Sequence, residues 1–178
     1  MDINHIVIVG AGTMGTDLAV KLSVSGVRVT VVGRPGGRAD TFSVRAISVA
    51  RDLGVSPDGL DMRLVSDLAS VDWLSADLVI ENIAEELAAK QSIFKQIASL
   101  ANKKTIITSN SSTFGISRIV DGLSQQARFF GLHFFMPAHL VPLVEIVMSE
   151  SSDLQTAKDI KQYLSALNFV PVIVHKDV

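Results

Sequence analysis

The sequence of 178 residues contains no cysteine, which excludes disulfide bonds, thiolate metal sites and thiol catalysis. It also lacks a large net charge: the formal value is −2, so there is no general basic field to attract nucleic acid or an anionic membrane. No apolar run reaches membrane-spanning length. The N-terminus has no basic segment before its first apolar run, as a secretory signal would. These absences favour a soluble cytoplasmic protein.

A metal site is also not expected. The four histidines are His5, His133, His139 and His175, and they show no ligand spacing with nearby carboxylates. What the chain does have is 48% hydrophobic and 19% charged residues, an ordinary globular balance without a signature of disorder. Its length suits one domain with a single hydrophobic core.

Short β-branched apolar runs alternate with amphipathic stretches along the chain. Several runs are apolar at consecutive positions, which is typical of strands covered on both faces. Alternating strands and helices imply parallel strands joined by right-handed crossovers, and therefore an α/β fold with a doubly wound sheet. The predicted strands are 5–9, 27–32, 77–81, 105–109, 128–133, 142–147 and 170–175; the predicted helices are 13–25, 41–53, 86–101, 116–123 and 154–167, with a loop at 54–61.

A G-x-G-x-x-G motif lies between the first predicted strand and the first predicted helix. Gly10 permits a tight turn, Gly12 lets the backbone approach a pyrophosphate, and Gly15 allows the helix to pack closely on the sheet. Thr13 and Met14 complete the motif, and the N–H groups at the start of the helix are donors for an anion. In this context the motif predicts a dinucleotide site more strongly than a tight turn without ligand.

Three further blocks are "ENIAEELAAKQSIFKQI" at 81–97, "SNSSTFGISRI" at 109–119 and "RFFGLHFFMPAHLVPLVEIV" at 128–147. With the glycine motif, they closely resemble the N-terminal domain of the 3-hydroxyacyl-CoA dehydrogenase family in order and spacing. The resemblance implies a Rossmann-type, mostly parallel sheet with extra strands over residues 1–178. It also implies that the family's C-terminal helical domain, which supplies dimerisation and part of the substrate site, is absent from this chain. We expect the chain to be a fragment of a longer two-domain protein, with a natural single-domain relative as the alternative, and we expect the full-length protein to be a homodimer.

The resemblance assigns chemistry to three residues. His133 matches the family's catalytic histidine and Glu145 its carboxylate partner, while Ser112 matches the serine that hydrogen-bonds the reacting oxygen of the substrate. An imidazole suits the removal of a hydroxyl proton during alcohol oxidation, and a carboxylate on its other nitrogen fixes the tautomer. For His133 the alternative is a histidine satisfied in the core. For Ser112 it is turn and N-cap chemistry.

The residues that the resemblance places beside the cofactor are less specific evidence than the three catalytic candidates. Glu85 and Lys90 fall where the family places residues near the nicotinamide half of the cofactor, but they are equally readable as charges at the start and on the surface of a helix. Asn110 lies near the end of its predicted strand, from which a side-chain amide could reach the cofactor.

Two departures from the family bear on the substrate. Met136 stands where the family has an asparagine, and a thioether has no N–H to donate. The segment of residues 34–62 is shorter than the family's helical hairpin, whose lysines contact coenzyme A; Arg45 and Arg51 remain there, and a solvated helix face explains them equally well. The expected substrate is a 3-hydroxyacyl-CoA, with a small free 3-hydroxy acid as the alternative.

The second predicted strand runs into "VVGRPGGRAD" at 31–40. Gly33 stands at the family's usual aspartate position, so no acid is present to bind the adenosine ribose or to repel a 2′-phosphate. Arg34 and Arg38 can bind that phosphate. The sequence therefore favours NADP(H) as the cofactor, with NAD(H) as the alternative. A solvated loop would also explain the two arginines, but it would not explain the missing acid.

Two functions are compatible with these residues. The first is a nicotinamide-dependent oxidoreductase acting on 3-hydroxy compounds, and the second is a dinucleotide-binding module that does not turn over in this short form. We also expect an exposed apolar surface near Phe134, Phe135 and the chain end, which would promote self-association.

Overall fold

A computed structural model gives the fold, and it describes residues 2–34 and 41–177. Within this part of the chain, strands and helices alternate much as the apolar pattern predicts. The strands are β1 His5–Val9, β2 Arg28–Val32, β3 Met62–Val65, β4 Leu78–Glu81, β5 Ile106–Ser109, β6 Phe129–Phe134, β7 Leu143–Val147 and β8 Val170–Val174; the helices are α1 Thr13–Ser23, α2 Phe42–Asp52, α3 Leu87–Leu100, α4 Ile116–Ile119 and α5 Leu154–Ala166.

The eight strands form one sheet in the order β3-β2-β1-β4-β5-β6-β7-β8. The first six strands are parallel, β7 runs antiparallel to β6, and β8 is parallel to β7. The order of the six parallel strands is that of a doubly wound dinucleotide-binding sheet, whose direction of winding reverses between β1 and β4. The predicted Rossmann-type sheet with extra strands is confirmed.

Both faces of the central sheet are covered. On β1, Ile6 and Ile8 belong to a core cluster beneath α1 and α2, whereas Val7 and Val9 belong to a second cluster beneath α3 and α4. All four side chains are buried. Because the side chains of a strand alternate between the faces of its sheet, a run that is apolar at every position supplies both cores.

Two elements differ from the sequence prediction. Strand β3 was not predicted, because Arg63 and Leu64 are exposed at this edge of the sheet and leave little apolar signal in a four-residue strand. Helix α4 ends at Ile119 instead of continuing to residue 123, and Gly122 follows in a left-handed conformation with φ +74°. A left-handed residue ends a helix readily, and glycine adopts it without steric cost.

In the described part of the chain, no helix has both the length and the apolar character needed to cross a membrane.

Candidate active site

The glycine turn, residues 10–15, lies at the carboxyl end of β1, where the winding of the sheet reverses. Gly10 has φ +120°, and a β-carbon on it would lie 2.5 Å from the carbonyl oxygen of Asn82, the residue after β4. A β-carbon on Gly15 would lie 1.9 Å from the carbonyl oxygen of Gly10. Any larger residue would therefore displace backbone at either position.

The start of α1 fits a pyrophosphate. Gly12 is its N-cap residue, no described side chain caps the helix, and its first turn contains no acidic residue. Thr13 and Met14 are partly exposed there. Free N–H groups at the positive end of the helix dipole, without a competing carboxylate, are what a phosphate anion requires.

His133 and Glu145 are joined as predicted. They face each other directly across the antiparallel strands β6 and β7, and His133 Nδ1 lies 3.0 Å from Glu145 Oε2. On the other side of the ring, His133 Nε2 lies 3.0 Å from the hydroxyl of Ser112, which comes from the loop after β5. The His133 side chain is 21% exposed, so a small molecule can reach it.

These contacts select one tautomer of His133. A carboxylate only accepts hydrogen bonds, so Nδ1 carries the proton that is donated to Glu145. In the neutral ring Nε2 is then an acceptor, and the Ser112 hydroxyl donates to it. The Nε2 lone pair therefore accepts from the Ser112 hydroxyl in this structure, so the basic nitrogen of the ring lies beside a group that can hydrogen-bond an oxygen.

Asn110 connects the two halves of the site. Its side-chain amide donates to Asn82 Oδ1 at 2.8 Å, and its carbonyl oxygen accepts from the backbone N–H of Phe134 at 2.7 Å. Asn82 is the residue whose backbone passes against Gly10. Asn110 thus links the glycine turn to the end of the strand that carries His133.

Lys90 is completely buried, so its interpretation as a charge on the helix surface is wrong. Its ammonium lies 2.8 and 3.0 Å from the two carboxylate oxygens of Glu81 and 3.2 Å from Glu85 Oε2. Glu81 is also completely buried, and it accepts hydrogen bonds from the Ser109 hydroxyl at 2.6 Å and the Ile83 N–H at 2.7 Å.

Glu85 connects this buried cluster to the surface. Its Oε1 accepts hydrogen bonds from the Ser111 hydroxyl and from the Thr113 N–H. Partial burial disfavours its charge, but the hydrogen bond from Ser111, the Lys90 ammonium and the Thr113 N–H together outweigh burial and hold the pKa of Glu85 below its ordinary value. Glu85 is therefore an anchored carboxylate that fixes the loop carrying Ser112.

Sequence reasoning missed Glu81, Asn82 and Ser111. The available signal for Glu81 was its position as a single charged residue at the end of a strand that is apolar on both faces. A charge at such a position needs a buried partner, and Lys90 is on the next helix.

At the end of β2, Gly33 is buried and its N–H donates to the Val65 carbonyl at 2.9 Å. Arg34 is exposed next to it. Arg38 lies outside the described residues. Gly33 thus supplies no acidic side chain at the end of β2, and the exposed residue beside it is a cation.

Met136 is 62% exposed in the β6–β7 loop, residues 135–142. Arg45 is not on a merely solvated face: its guanidinium binds the buried carboxylate of Asp17 at 2.6 Å. Arg51 is exposed. The expected exposure of Phe134 is wrong, because its side chain points to the face of the sheet covered by α5 and is buried.

The opposite face of β6–β8 is open. His133, Glu145 and Val172 form one row across the three strands, and Leu143 and Val170 form the next. Paired residues in adjacent strands share a face, and Leu143, Val170 and Val172 are exposed. We call this surface the open face. In the part of the chain that the structure describes, no group of three or more His, Asp or Glu side chains could hold a metal ion.

Comparison with known proteins gives one family. The model for the 3-hydroxyacyl-CoA dehydrogenase NAD binding domain matches residues 5–178. A curated relative, the 5-formyl-3-hydroxy-2-methylpyridine 4-carboxylate 5-dehydrogenase of Mesorhizobium japonicum, is 31% identical over 99% of this chain and 59% of its own length. The chain therefore spans about three fifths of this relative.

Solved structures agree in fold. A 5-formyl-3-hydroxy-2-methylpyridine 4-carboxylic acid 5-dehydrogenase, described as an NAD⁺-dependent dismutase, superposes with a TM-score of 0.90 at 27% identity, covering 99% of this chain and 59% of that one. The (S)-3-hydroxybutyryl-CoA dehydrogenase PaaH1 from Ralstonia eutropha gives 0.89 at 26% identity, with 99% and 65% covered.

Proposed function

The chain belongs to the 3-hydroxyacyl-CoA dehydrogenase family through its NAD-binding domain, and from this membership we propose that the protein is an oxidoreductase that transfers hydride between a nicotinamide cofactor and a 3-hydroxyacyl compound. The observation that carries the proposal is the placement of His133 between Glu145 and Ser112, with both contacts at 3.0 Å. A histidine satisfied in a core would not hold a partly exposed ring between a carboxylate and the hydroxyl of a loop.

The roles of the three residues follow from their contacts. His133 Nε2 removes the proton from the hydroxyl of the substrate, since Nδ1–H is committed to Glu145. Glu145 stabilises the imidazolium that results. Ser112 hydrogen-bonds the reacting oxygen and holds it beside Nε2, where its own hydroxyl lies in this structure.

When bound, a nicotinamide dinucleotide supplies the hydride acceptor. The residues that would hold it are those of the glycine turn, where Gly12, Thr13 and Met14 present the start of α1 to the pyrophosphate. Glu85 and Asn110 would face the nicotinamide half, and Lys90 would act by holding Glu85 in place. This assignment rests on the position of the residues at the point where the sheet reverses its winding.

The choice between NAD(H) and NADP(H) rests on Gly33 and Arg34. The matching family model is an NAD binding domain, and the similar dismutase is NAD⁺-dependent. The preference for NADP(H) is therefore supported only by the missing acid at Gly33 and by the exposed Arg34. If Arg34 binds a 2′-phosphate, Arg34→Ala weakens NADPH binding by about 1.5–3 kcal/mol and leaves NADH binding unchanged. Equal affinity of the unmodified chain for both cofactors would contradict the preference, including the role of Arg38.

The substrate class has two candidates. A 3-hydroxyacyl-CoA is supported by the family and by the PaaH1 structure. A small free hydroxy acid is supported by the exposed Met136, which replaces a polar neighbour of His133 by a thioether, and by the engagement of Arg45 with Asp17. The relative from Mesorhizobium japonicum is named for a small ring carboxylate.

The test is turnover by the complete gene product with NADH or NADPH and a 3-oxoacyl-CoA or a small 3-oxo acid. His133→Gln should lower kcat by about 10²–10⁴-fold, the contribution of a positioned general base, and Glu145→Gln should lower it as well. His175→Gln is the matched control, because His175 is exposed near the end of the chain.

His133→Gln, together with Gly12→Val, decides between the enzyme and a binding module. A module without catalysis would bind the cofactor, lose that affinity in Gly12→Val, and show no turnover that depends on His133. Turnover that survives His133→Gln would contradict the proposed mechanism.

The proposal also includes the domain organisation, the oligomeric state and the location of the whole protein. Residues 1–178 form one Rossmann-type domain of a longer two-domain protein that is homodimeric and cytoplasmic. The open face beside His133 supports a further part of the protein at this site, because it leaves Val170 and Val172 uncovered.

A further inference from the structure

A second histidine–carboxylate pair lies on the other side of the sheet from the open face. His139, in the β6–β7 loop, places its Nδ1 3.0 Å from Oδ2 of Asp17. Both side chains are buried, Asp17 completely. Asp17 belongs to α1, the helix that begins at the glycine turn. The chemistry proposed above uses neither residue.

Arg45 of α2 completes the cluster. Its guanidinium binds Oδ1 of Asp17 through Nε at 2.7 Å and Nη2 at 2.6 Å, and Nε also donates to the carbonyl of Thr13 at 3.4 Å. Each oxygen of Asp17 therefore has its own cationic or ring N–H partner. On the outer side of the imidazole, Nε2 of His139 lies 3.4 Å from the carboxylate of Asp52, and it makes no hydrogen bond within the described residues.

The cluster joins two parts of the site that are far apart in sequence. The base of the β6–β7 loop is fixed by the pairing of His133 with Glu145, and its tip is held in the protein by His139 and by the buried Ala138. Arg45 reaches the first turn of α1 through Thr13. A buried carboxylate that loses a hydrogen-bond partner destabilises the protein. The contact of Asp17 with His139 therefore holds the loop and α1 together.

We propose that Asp17 and His139 are positioning residues that couple binding of the dinucleotide at the glycine turn to the order of the β6–β7 loop, and through it to His133 and the exposed Met136. The coupling to cofactor binding rests on the proposed function. The link between α1 and the loop does not, because the contact of Asp17 with His139 is made by the chain itself. A ligand that orders α1 then favours the ordered loop, and loss of the link weakens the ligand by the same factor.

The experiment uses the 178-residue chain and three variants. In His139→Asn the side-chain amide nitrogen can occupy the place of Nδ1 and keep the hydrogen bond to Asp17. In His139→Gln the amide lies near the place of Nε2 and reaches only toward Asp52. Asp52→Asn is the matched control on the outer side. Circular dichroism confirms folding, hydrogen exchange followed by mass spectrometry reports on residues 134–142, and fluorescence titration gives the Kd for NADH and NADPH.

For the chain without cofactor, we expect exchange in residues 134–142 to be about tenfold faster in His139→Gln than in the unmodified chain, and unchanged in His139→Asn and Asp52→Asn. The Kd for the better-bound cofactor should rise about fivefold or more in His139→Gln alone, the range of typical coupling between sites.

A folded His139→Gln with unchanged exchange and affinity would overturn the proposal. So would a loss in His139→Asn as large as that in His139→Gln, because the hydrogen bond to Asp17 would then be irrelevant. Faster exchange with unchanged affinity would make the pair purely structural and would also overturn it. If the unmodified chain binds neither cofactor, the proposed function fails, while the exchange comparison still tests the link itself.

Discussion

Lys90, Glu81 and Glu85 form a cluster in which one buried ammonium serves two carboxylates. Lys90 and Glu81 are both inaccessible to water, so each depends on the other for compensation of its charge. A buried pair of opposite charges that makes further hydrogen bonds can be stable, whereas a single buried charge without a partner strongly destabilises the fold. The cluster also fixes Ser109 and Ser111 on the strand and loop that lead to Ser112.

Glu81→Gln should therefore lower the free energy of unfolding by about 3 kcal/mol, the lower part of the range for breaking a buried ion pair, because Glu85 still compensates part of the charge of Lys90. Glu86→Gln is the control: Glu86 is exposed and its side chain makes no capping hydrogen bond, so a change within about 0.5 kcal/mol is expected. Urea unfolding measures both. Equal stability of the two variants would show that the buried pair contributes nothing.

His5 gives a prediction for pH. It is buried at the opposite end of the sheet from the site, where its ring contacts the hydroxyls of Thr30 and Ser75. Burial, followed by the charge of Arg28, lowers the pKa of His5 below 6.5, against the opposing effects of Asp72 and Asp77. The unfolded chain therefore takes up this proton at a higher pH than the folded chain.

By linkage, the contribution of His5 to stability is fully present above pH 6.5 and decreases as the pH falls below it toward the folded pKa. His5→Gln should flatten the decrease of the unfolding free energy between about pH 7.5 and 5.5, measured by urea unfolding at each pH. His175→Gln, at an exposed position, should retain the original profile. If the profiles of His5→Gln and the unmodified chain are parallel, the lowered pKa is wrong.

At the scale of elements, the site depends on how closely α1 approaches the ends of β1 and β4. Gly15→Ala would place a methyl group 1.9 Å from the Gly10 carbonyl, which only a backbone shift can relieve. We expect a loss of about 1–3 kcal/mol in the free energy of unfolding from this overpacking, together with weaker binding of whichever cofactor, NADH or NADPH, the unmodified chain binds better. Gly26→Ala is the control: it is left-handed at φ +82° with open space around it, so it should lose stability through strain alone.

The measurement is urea unfolding together with fluorescence titration of the cofactor. Gly26→Ala should keep the Kd of the unmodified chain, because Gly26 lies after the C-terminal end of α1, away from the turn. A Gly15→Ala variant with an unchanged Kd would mean that the glycine turn is not the pyrophosphate site.

At the scale of the whole molecule, the open face of β6–β8 is the unusual surface. The other face of these strands packs on α5 through Leu132, Phe134, Val144 and Ile146, whereas the open face leaves Val170 56% exposed beside Leu143. Contiguous apolar surface of this kind marks a place where a folded protein makes contact with something else.

We predict that the 178-residue chain self-associates through this face. Val170→Lys should reduce the concentration dependence of its sedimentation coefficient, because a charge on the surface opposes apolar contact. Val44→Lys, which changes a valine that is 73% exposed on α2, is the matched control and should behave as the unmodified chain. A chain that remains monomeric at high concentration in analytical ultracentrifugation would contradict the prediction.

The sequence by itself determined the order of the elements, the glycine turn and the family. Local patterns carry this information: apolar runs covered on both faces predict strands, and a glycine motif between a strand and a helix predicts a phosphate site. The meeting of His133 with Glu145 was also predictable, through the resemblance. The exposed edge strand β3 was not, since a short strand with Arg63 and Leu64 in solvent has no distinctive pattern.

Only the tertiary structure decided which charged residues are buried and with which partners. Lys90 has the sequence context of a surface charge, yet it lies against Glu81 in the interior. Asp17 and His139 are far apart in the chain and meet because α1 and the β6–β7 loop are packed side by side. Burial and ion pairing depend on which elements the fold places in contact, and the spacing of residues along the chain does not contain that information.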